Sequence, residues 1–222
     1  MPSTIVHMAF AGMVAAGLLG TAFNRRSVLL VLAAIALIDL DAFIPLILPF
    51  GHRAVLHNLV IPIAGLVVLL LDGHVREESY ILERWGAWGY RVVWVTLLCY
   101  AVAGVLLDLT DGIVNLLWPI HDQFYSLDGR IELSDQRGIV QTFIGFGNGD
   151  GPPTPEAVGS TEEVEITTGV DPGEPAEPDQ DPERIFPVIG ATWELVVFLT
   201  GTFVTAMRLR LDEPTTENDP EE

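Results

Sequence analysis

A chain of 222 residues that is half hydrophobic yet carries a formal net charge of -19 is not a single soluble core, because its greasy and acidic parts must be segregated along the sequence. All eleven basic residues are Arg, set against 30 Asp and Glu, and this balance excludes the basic footprint that nucleic-acid binding needs. The excess of acid without any Lys matches the solvent-facing composition of salt-adapted proteins; two ordinary acidic tails are the plainer reading, and they leave the absent Lys unexplained.

Apolar runs approaching the roughly 20 residues of a bilayer span occupy Ile5 to Phe23, Val28 to Phe50, Val55 to Leu71, Val92 to Leu109 and Phe186 to Met207. The expected fold class is all-α: a polytopic integral membrane helical bundle of about five transmembrane helices, with a disordered acidic outer loop and tail. The opening "MPSTIVHMAF" has no basic leader and holds a His within its apolar run, so it reads as a retained span. Beyond the fourth run, "GRIELSDQRGIVQTFIGFG" alternates in short stretches that suit a small hairpin. From Asn148 to Pro182 the chain is rich in Pro, Gly and Glu and reads as a disordered tether. Cys99 lies in an apolar run and reads as core packing.

Arginines set the orientation, because short basic loops stay cytoplasmic. Arg25, Arg26, Arg76, Arg84, Arg91, Arg208 and Arg210 fall on one side of the five spans, and Arg53, Arg130, Arg137 and Arg184 on the other. The bias predicts a multi-pass protein of the cell membrane with its N-terminus outside and its C-terminus cytoplasmic.

Two aspartates interrupt the second run, in "IALIDLDAFIP". A carboxylate at the centre of a transmembrane helix costs about 2.5–3.5 kcal/mol, so Asp39 and Asp41 need a partner. Asp41 stands 15 residues from Arg26, His57 15 from Asp72, His7 17 from Asn24 and Asp108 17 from Arg91, which at about 1.5 Å per residue is roughly 22–25 Å in each case. Four helices thus carry an imidazole or a carboxylate at one height, near the outer leaflet. His52 lies just above, with Asp111, His121 and Asp122; His74 lies at the inner surface as a solvated loop residue, and Glu194 is assigned to the bundle or a neighbour. Neutral imidazoles with carboxylates are the ligand set of zinc, manganese or iron, and a divalent cation would neutralise the aspartates. The competing readings are pairing with Arg53 and an ion or proton path. Asp39 and Asp41 lie about 200° apart on a helix, and Pro45 offers a break that would turn both inward.

The order "STIVHMAF", "IDLDAFIP", "HRAVLHN" and "LLDLTDGIVNLLWPI" followed by "DQFYSL" resembles the YdjM-like family of membrane-bound metal-dependent hydrolases, over Met1 to about Leu127. The resemblance implies that His7, Asp39, Asp41, His52, His57 and Asp108 are metal or acid-base residues. It also marks departures: Ala103 and Gly104 stand where the family has Ser-His, Leu56 and Asn58 replace Thr and Ser in the clamp, and Ile38 precedes Asp39 in place of Pro. His121 is the expected substitute for the missing imidazole. The organisation then reads as a hydrolase-like membrane domain over 1–127, an outer segment with the hairpin over 128–147, the acidic tether over 148–184, the last transmembrane helix over 185–210 and an acidic tail over 211–222.

The expected function is a membrane-bound hydrolase whose metal generates hydroxide to attack an ester or phosphoester. Asp39 or Asp41 would serve as general base, and Arg53 would stabilise an oxyanion or grip a phosphate. A site at headgroup height implies a small or lipid-like substrate from the bilayer. The alternatives are an inactive membrane protein that keeps the cluster for structure or sensing, and an ion-coupled transporter, which the lack of an inverted repeat disfavours.

Overall fold

A computed structural model describes residues 2–47, 52–144, 155–170 and 183–212. Five α-helices carry most of the apolar runs: α1 (Thr4–Leu18), α2 (Arg25–Ile38), α3 (Val60–His74), α4 (Tyr80–Cys99) and α5 (Thr192–Leu211). Two of them continue without a break. A 3-10 turn, Asp39–Leu46, extends α2, while a π turn, Tyr100–Val105, and a 3-10 turn, Leu106–Thr110, extend α4. The resulting segments, Arg25–Leu46 and Tyr80–Thr110, are long and apolar enough to cross a membrane, whereas α1 and α3 are shorter apolar helices.

Local chemistry sets the ends. The Asn24 side chain accepts the Ser27 N–H at 3.0 Å while the Ser27 hydroxyl accepts the Asn24 N–H at 3.0 Å, a reciprocal cap that satisfies donors otherwise orphaned at the start of α2. Gly86, at φ 65°, kinks α4 beside Trp85 and Trp88 in a conformation only glycine adopts freely. The third helix departs from the expected run from Val55. Its first turn is instead an irregular segment, 52–59, because its backbone and side chains bond elsewhere, and α3 starts where the Asn58 side-chain oxygen accepts the Ile61 N–H. The last helix also starts later than expected, at Thr192 rather than Phe186.

Among the described residues, five short strands correct the all-α expectation. β1 (Ile113–Val114), β2 (Phe124–Ser126) and β5 (Glu156–Gly159) form one antiparallel sheet in the order β1-β2-β5, and β3 (Ile131–Ser134) pairs with β4 (Gly138–Gln141) as a hairpin, Ser134 opposite Gly138. β5 lies inside the stretch expected to be a disordered tether. It is held by its ladder to β2 and by Thr161, whose N–H and hydroxyl both donate to Asp122. Residues 145–154 and 171–182 of the expected hairpin flank and tether, and the acidic tail from 213, lie outside the described residues.

The core packs α1, α2 and α4 around Ala15, Leu19, Val31, Ile35, Val95 and Cys99. α5 lies against α1 across glycines: a Cβ on Gly201 would stand 2.2 Å from the Ala9 carbonyl oxygen, and one on Gly12 2.6 Å from the Thr205 hydroxyl. Small residues let two backbones approach this way where no hydrophobic effect drives helices together. Leu29, Leu37, Val67, Val68, Leu199 and Phe203 face outward and exposed. With the two spanning-length segments, this apolar exterior points to membrane association.

Candidate functional site

Four segments of the chain meet at one buried polar cluster. α1 contributes His7, the 3-10 turn after α2 contributes Asp39 and Asp41, the irregular segment contributes His52, Arg53 and His57, and the end of the α4 segment contributes Asp108. Asp41 and Asp108 are fully buried, and His57 is 1 % exposed. Only Asp39, its side chain 26 % accessible, retains a face to the outside. The tight 3-10 winding brings both Asp39 and Asp41 onto His57, which lies 3.2 Å from Asp39 through Nε2 and 2.8 Å from Asp41 through Nδ1.

Asp41 is the hub. It accepts from His52 Nδ1 at 3.0 Å, from His57 Nδ1 at 2.8 Å and from the Arg53 N–H at 3.2 Å. His7 directs its Nδ1 to the Ala103 carbonyl, which the π turn presents to it. All three rings therefore spend Nδ1 on an oxygen acceptor, and this assigns the N–H to Nδ1 and the lone pair to Nε2. The Nε2 atoms then face oxygens: His7 stands 3.3 Å from Asp108, His57 3.3 Å from the other Asp108 oxygen, and His52 Nε2 is buried without a partner. A lone pair aimed at a carboxylate is repulsive unless positive charge, a proton or a metal ion, lies between them. Three carboxylates against the single guanidinium of Arg53 leave two negative charges unbalanced while the imidazoles are neutral. Among the described residues, no three His, Cys, Asp or Glu groups are already spaced as a metal sphere; they contact one another directly.

Arg53 sits at φ 59°, an uncommon conformation for a non-glycine residue. Nη2 donates to Asp108 at 3.1 Å, Nη1 donates to the Ile113 carbonyl at 3.1 Å, and its own carbonyl accepts the Asn115 N–H at 3.0 Å. Gly112 leaves room for this, since a Cβ there would stand 2.1 Å from Nη1. Asn115 in turn donates to Asp122 at 2.6 Å. Burial pushes the Asp122 carboxyl up, but the hydrogen bonds from Thr161 and Asn115 outweigh it and hold the group below the usual carboxylate range.

The cluster floors a cavity of about 770 Å³ that His7, Asp39, His52 and Asp108 line on the polar side. Arg53 is not among its lining residues; its guanidinium is turned to Asp108 and Ile113.

The six residues expected as metal or acid-base groups are brought together, and Arg53 with them. His121 is not: it is exposed, paired with the Tyr125 hydroxyl at 3.0 Å. His74 is exposed at the end of α3, and Asp111 is exposed beyond the cluster. Glu194 is buried at the start of α5, where it accepts the Gly190 N–H at 2.7 Å. At position 104 a Cβ would stand 2.2 Å from Ile38 Cδ1, so a side chain there points at α2. Sequence reasoning missed the Ala103 carbonyl, Asn115 and the Tyr100 hydroxyl, which donates to the Leu56 carbonyl at 2.5 Å. A glycine four residues before an aspartate in an apolar run, Gly104 before Asp108, is the one signal of helix irregularity that would have pointed to the first. No family model, curated protein or solved structure matches the chain.

Proposed function

We propose that the chain is a polytopic membrane hydrolase that uses a divalent cation, zinc foremost and manganese or iron next, to cleave an ester or phosphoester near the outer leaflet. The charge of the cluster carries this reading: with the imidazoles neutral, Asp39, Asp41 and Asp108 exceed Arg53 by two negative charges, Asp41 and Asp108 fully buried and Asp39 partly so, which is what one divalent cation supplies, and losing one partner of a buried pair costs on the order of 3–5 kcal/mol. The donor chemistry fits. Nε2 of His7 and His57 and the carboxylate of Asp108 would hold the cation, with the unpartnered Nε2 of His52 as a further donor. The order of motifs shared with the YdjM-like hydrolases supports the same reaction class.

When bound, the cation acts as a Lewis acid and brings the pKa of water toward 7. The residues do the rest. Asp39, a lining residue of the cavity and the carboxylate of the three whose side chain keeps accessible surface, takes the proton of the attacking water as general base. Asp41 touches no substrate; by holding Nδ1 of His52 and His57 it keeps both Nε2 atoms turned inward. Arg53 offsets the charge of Asp108 and fixes the irregular segment, a positioning role in place of the oxyanion contact expected from sequence.

The test is metal analysis of the full chain purified in mild detergent, with activity measured on a panel of phosphoesters and lipid esters. Stoichiometric metal is expected in the wild type, at least ten-fold weaker metal affinity in Asp41→Ala, and loss of metal and activity together in His57→Ala. Metal-free wild-type protein would sink the reading. Direct imidazole–carboxylate contacts and the glycine at position 104 favour a second reading, an inactive relative that keeps the cluster for structure; metal-loaded protein inactive on the whole panel would select it.

A further inference from the structure

We infer that the cavity above the cluster takes a single-chain amphiphile drawn from the bilayer, its polar head on the histidine and aspartate floor and its hydrocarbon chain against Phe43 and Phe186. The inference rests on the hydrolase reading and specifies the substrate class for that site.

The cavity has two unlike sides. Among its lining residues His7, Asp39, His52 and Asp108 make the polar floor and Ile5, Phe43 and the run Ile185 to Val188 the apolar wall, with Thr167, Thr168 and Glu183 also on the lining. Phe43 is 51 % exposed and Phe186 64 %, so the wall is an apolar surface without a cover among the described residues. The volume, about 770 Å³, falls in the range of about 300–1,000 Å³ that encloses a small ligand, room for a headgroup and one chain rather than a two-chain lipid.

The wall is built rather than incidental. Between the acidic outer region and α5 the chain carries "IFPV", four apolar residues in a row, and lays them over a polar cluster instead of in the core. Three contacts hold this strap. Ser3 donates its hydroxyl to the Val188 carbonyl at 2.5 Å, Arg184 Nη1 donates to the Val170 carbonyl at 2.7 Å, and Gly169 packs on Phe186 so closely that a Cβ would stand 2.7 Å from the ring. Ile5 and Phe43, one on α1 and one on the 3-10 turn, belong to the apolar exterior, so the wall joins the lipid-facing surface to the polar floor. A molecule that satisfies both needs a hydrolysable head and an apolar tail.

The test uses the full chain in lipid nanodiscs and, as probe, n-dodecyl phosphate carrying a mid-chain diazirine, competed by unlabelled alkyl phosphates of increasing length and by inorganic phosphate. Crosslinks are expected at Phe43 and within Ile185 to Val188, above the level at the lipid-facing Val67 and Val68 of α3. Competition at the cavity positions, relative to those controls, should gain about four-fold per methylene buried, until the wall is covered. Phe43→Asp and Phe186→Asp should each lower cavity labelling at least ten-fold and leave α3 labelling unchanged. Equal labelling of the cavity and α3, or inorganic phosphate competing as well as dodecyl phosphate, overturns the inference, and the wild-type competition series decides this even if the variants fail to fold. Cavity crosslinks in a metal-free, inactive protein would uphold the amphiphile site while sinking the hydrolase. Hydrolysis with no chain-length dependence and no cavity crosslinks would do the reverse.

Discussion

At the scale of the residue, Arg53 bears the largest share of the cluster's positive charge that belongs to the chain itself. It is 2 % exposed and bonded to a fully buried Asp108, so Arg53→Ala removes one partner of a buried pair and should cost about 3–5 kcal/mol, with the unfavourable φ retained. Arg137→Ala is the control, since its contact to Glu132 is exposed and is worth about 0–1 kcal/mol. Denaturation midpoints in mild detergent measure both, and equal shifts would show that the buried pair does not hold the cluster. The residues themselves were legible beforehand, because a His or Asp inside an apolar run advertises its own cost and helical rise converts its position into height. Azimuth was not legible. Whether Asp39 and Asp41 turn inward together depends on 3-10 winding, and whether Arg53 faces the cavity or Asp108 depends on Ile113 and Asn115, some 60 residues on.

At the scale of the element, α1 and α5 test how closely two helices are forced together. Gly201→Ala places a methyl group against the rigid carbonyl of Ala9, and overpacking of this kind costs about 1–3 kcal/mol. Gly17→Ala is the contrast, because nothing lies within 4 Å of its Cβ and alanine is the better helix former by about 1 kcal/mol. Unfolding midpoints should fall for the first and hold or rise for the second; a Gly201→Ala protein as stable as the wild type would mean that the pair is looser than its contacts imply. Hydrophobic runs located the helices, yet three starts were misread: α4 begins at Tyr80, well before the expected Val92, and two others begin late. Val55 to Leu59 and Phe186 to Ala191 are largely apolar in composition but non-helical, since in the first Leu56 gives its N–H to Asp41 and in the second Val188 gives its carbonyl to Ser3. β5 was hidden for the converse reason: its partner strand lies about 30 residues earlier and it sits in an acidic, Pro- and Gly-rich stretch, so nothing local marks it.

At the scale of the whole molecule, two segments are long and apolar enough to cross a membrane, and the arginine bias in the sequence predicts five crossings with the polar cluster toward the outside. A reporter fused after Arg210 should therefore be cytoplasmic, and one inserted between Gly138 and Gln141 external; the opposite pattern would invert the arrangement. The long-range contacts add a constraint of timing. Every group of the polar cluster lies between His7 and Asp108, and Asn115 and Asp122 follow soon after, but the strap and the helix that seals α1 come only with residues 183–212. During synthesis the groups of the polar cluster thus emerge well before the segment that shields them, so the proposed cation would reach its donors while the compartment is still unroofed, and the tail of the proposed amphiphile would be gripped only once the last helix is in place.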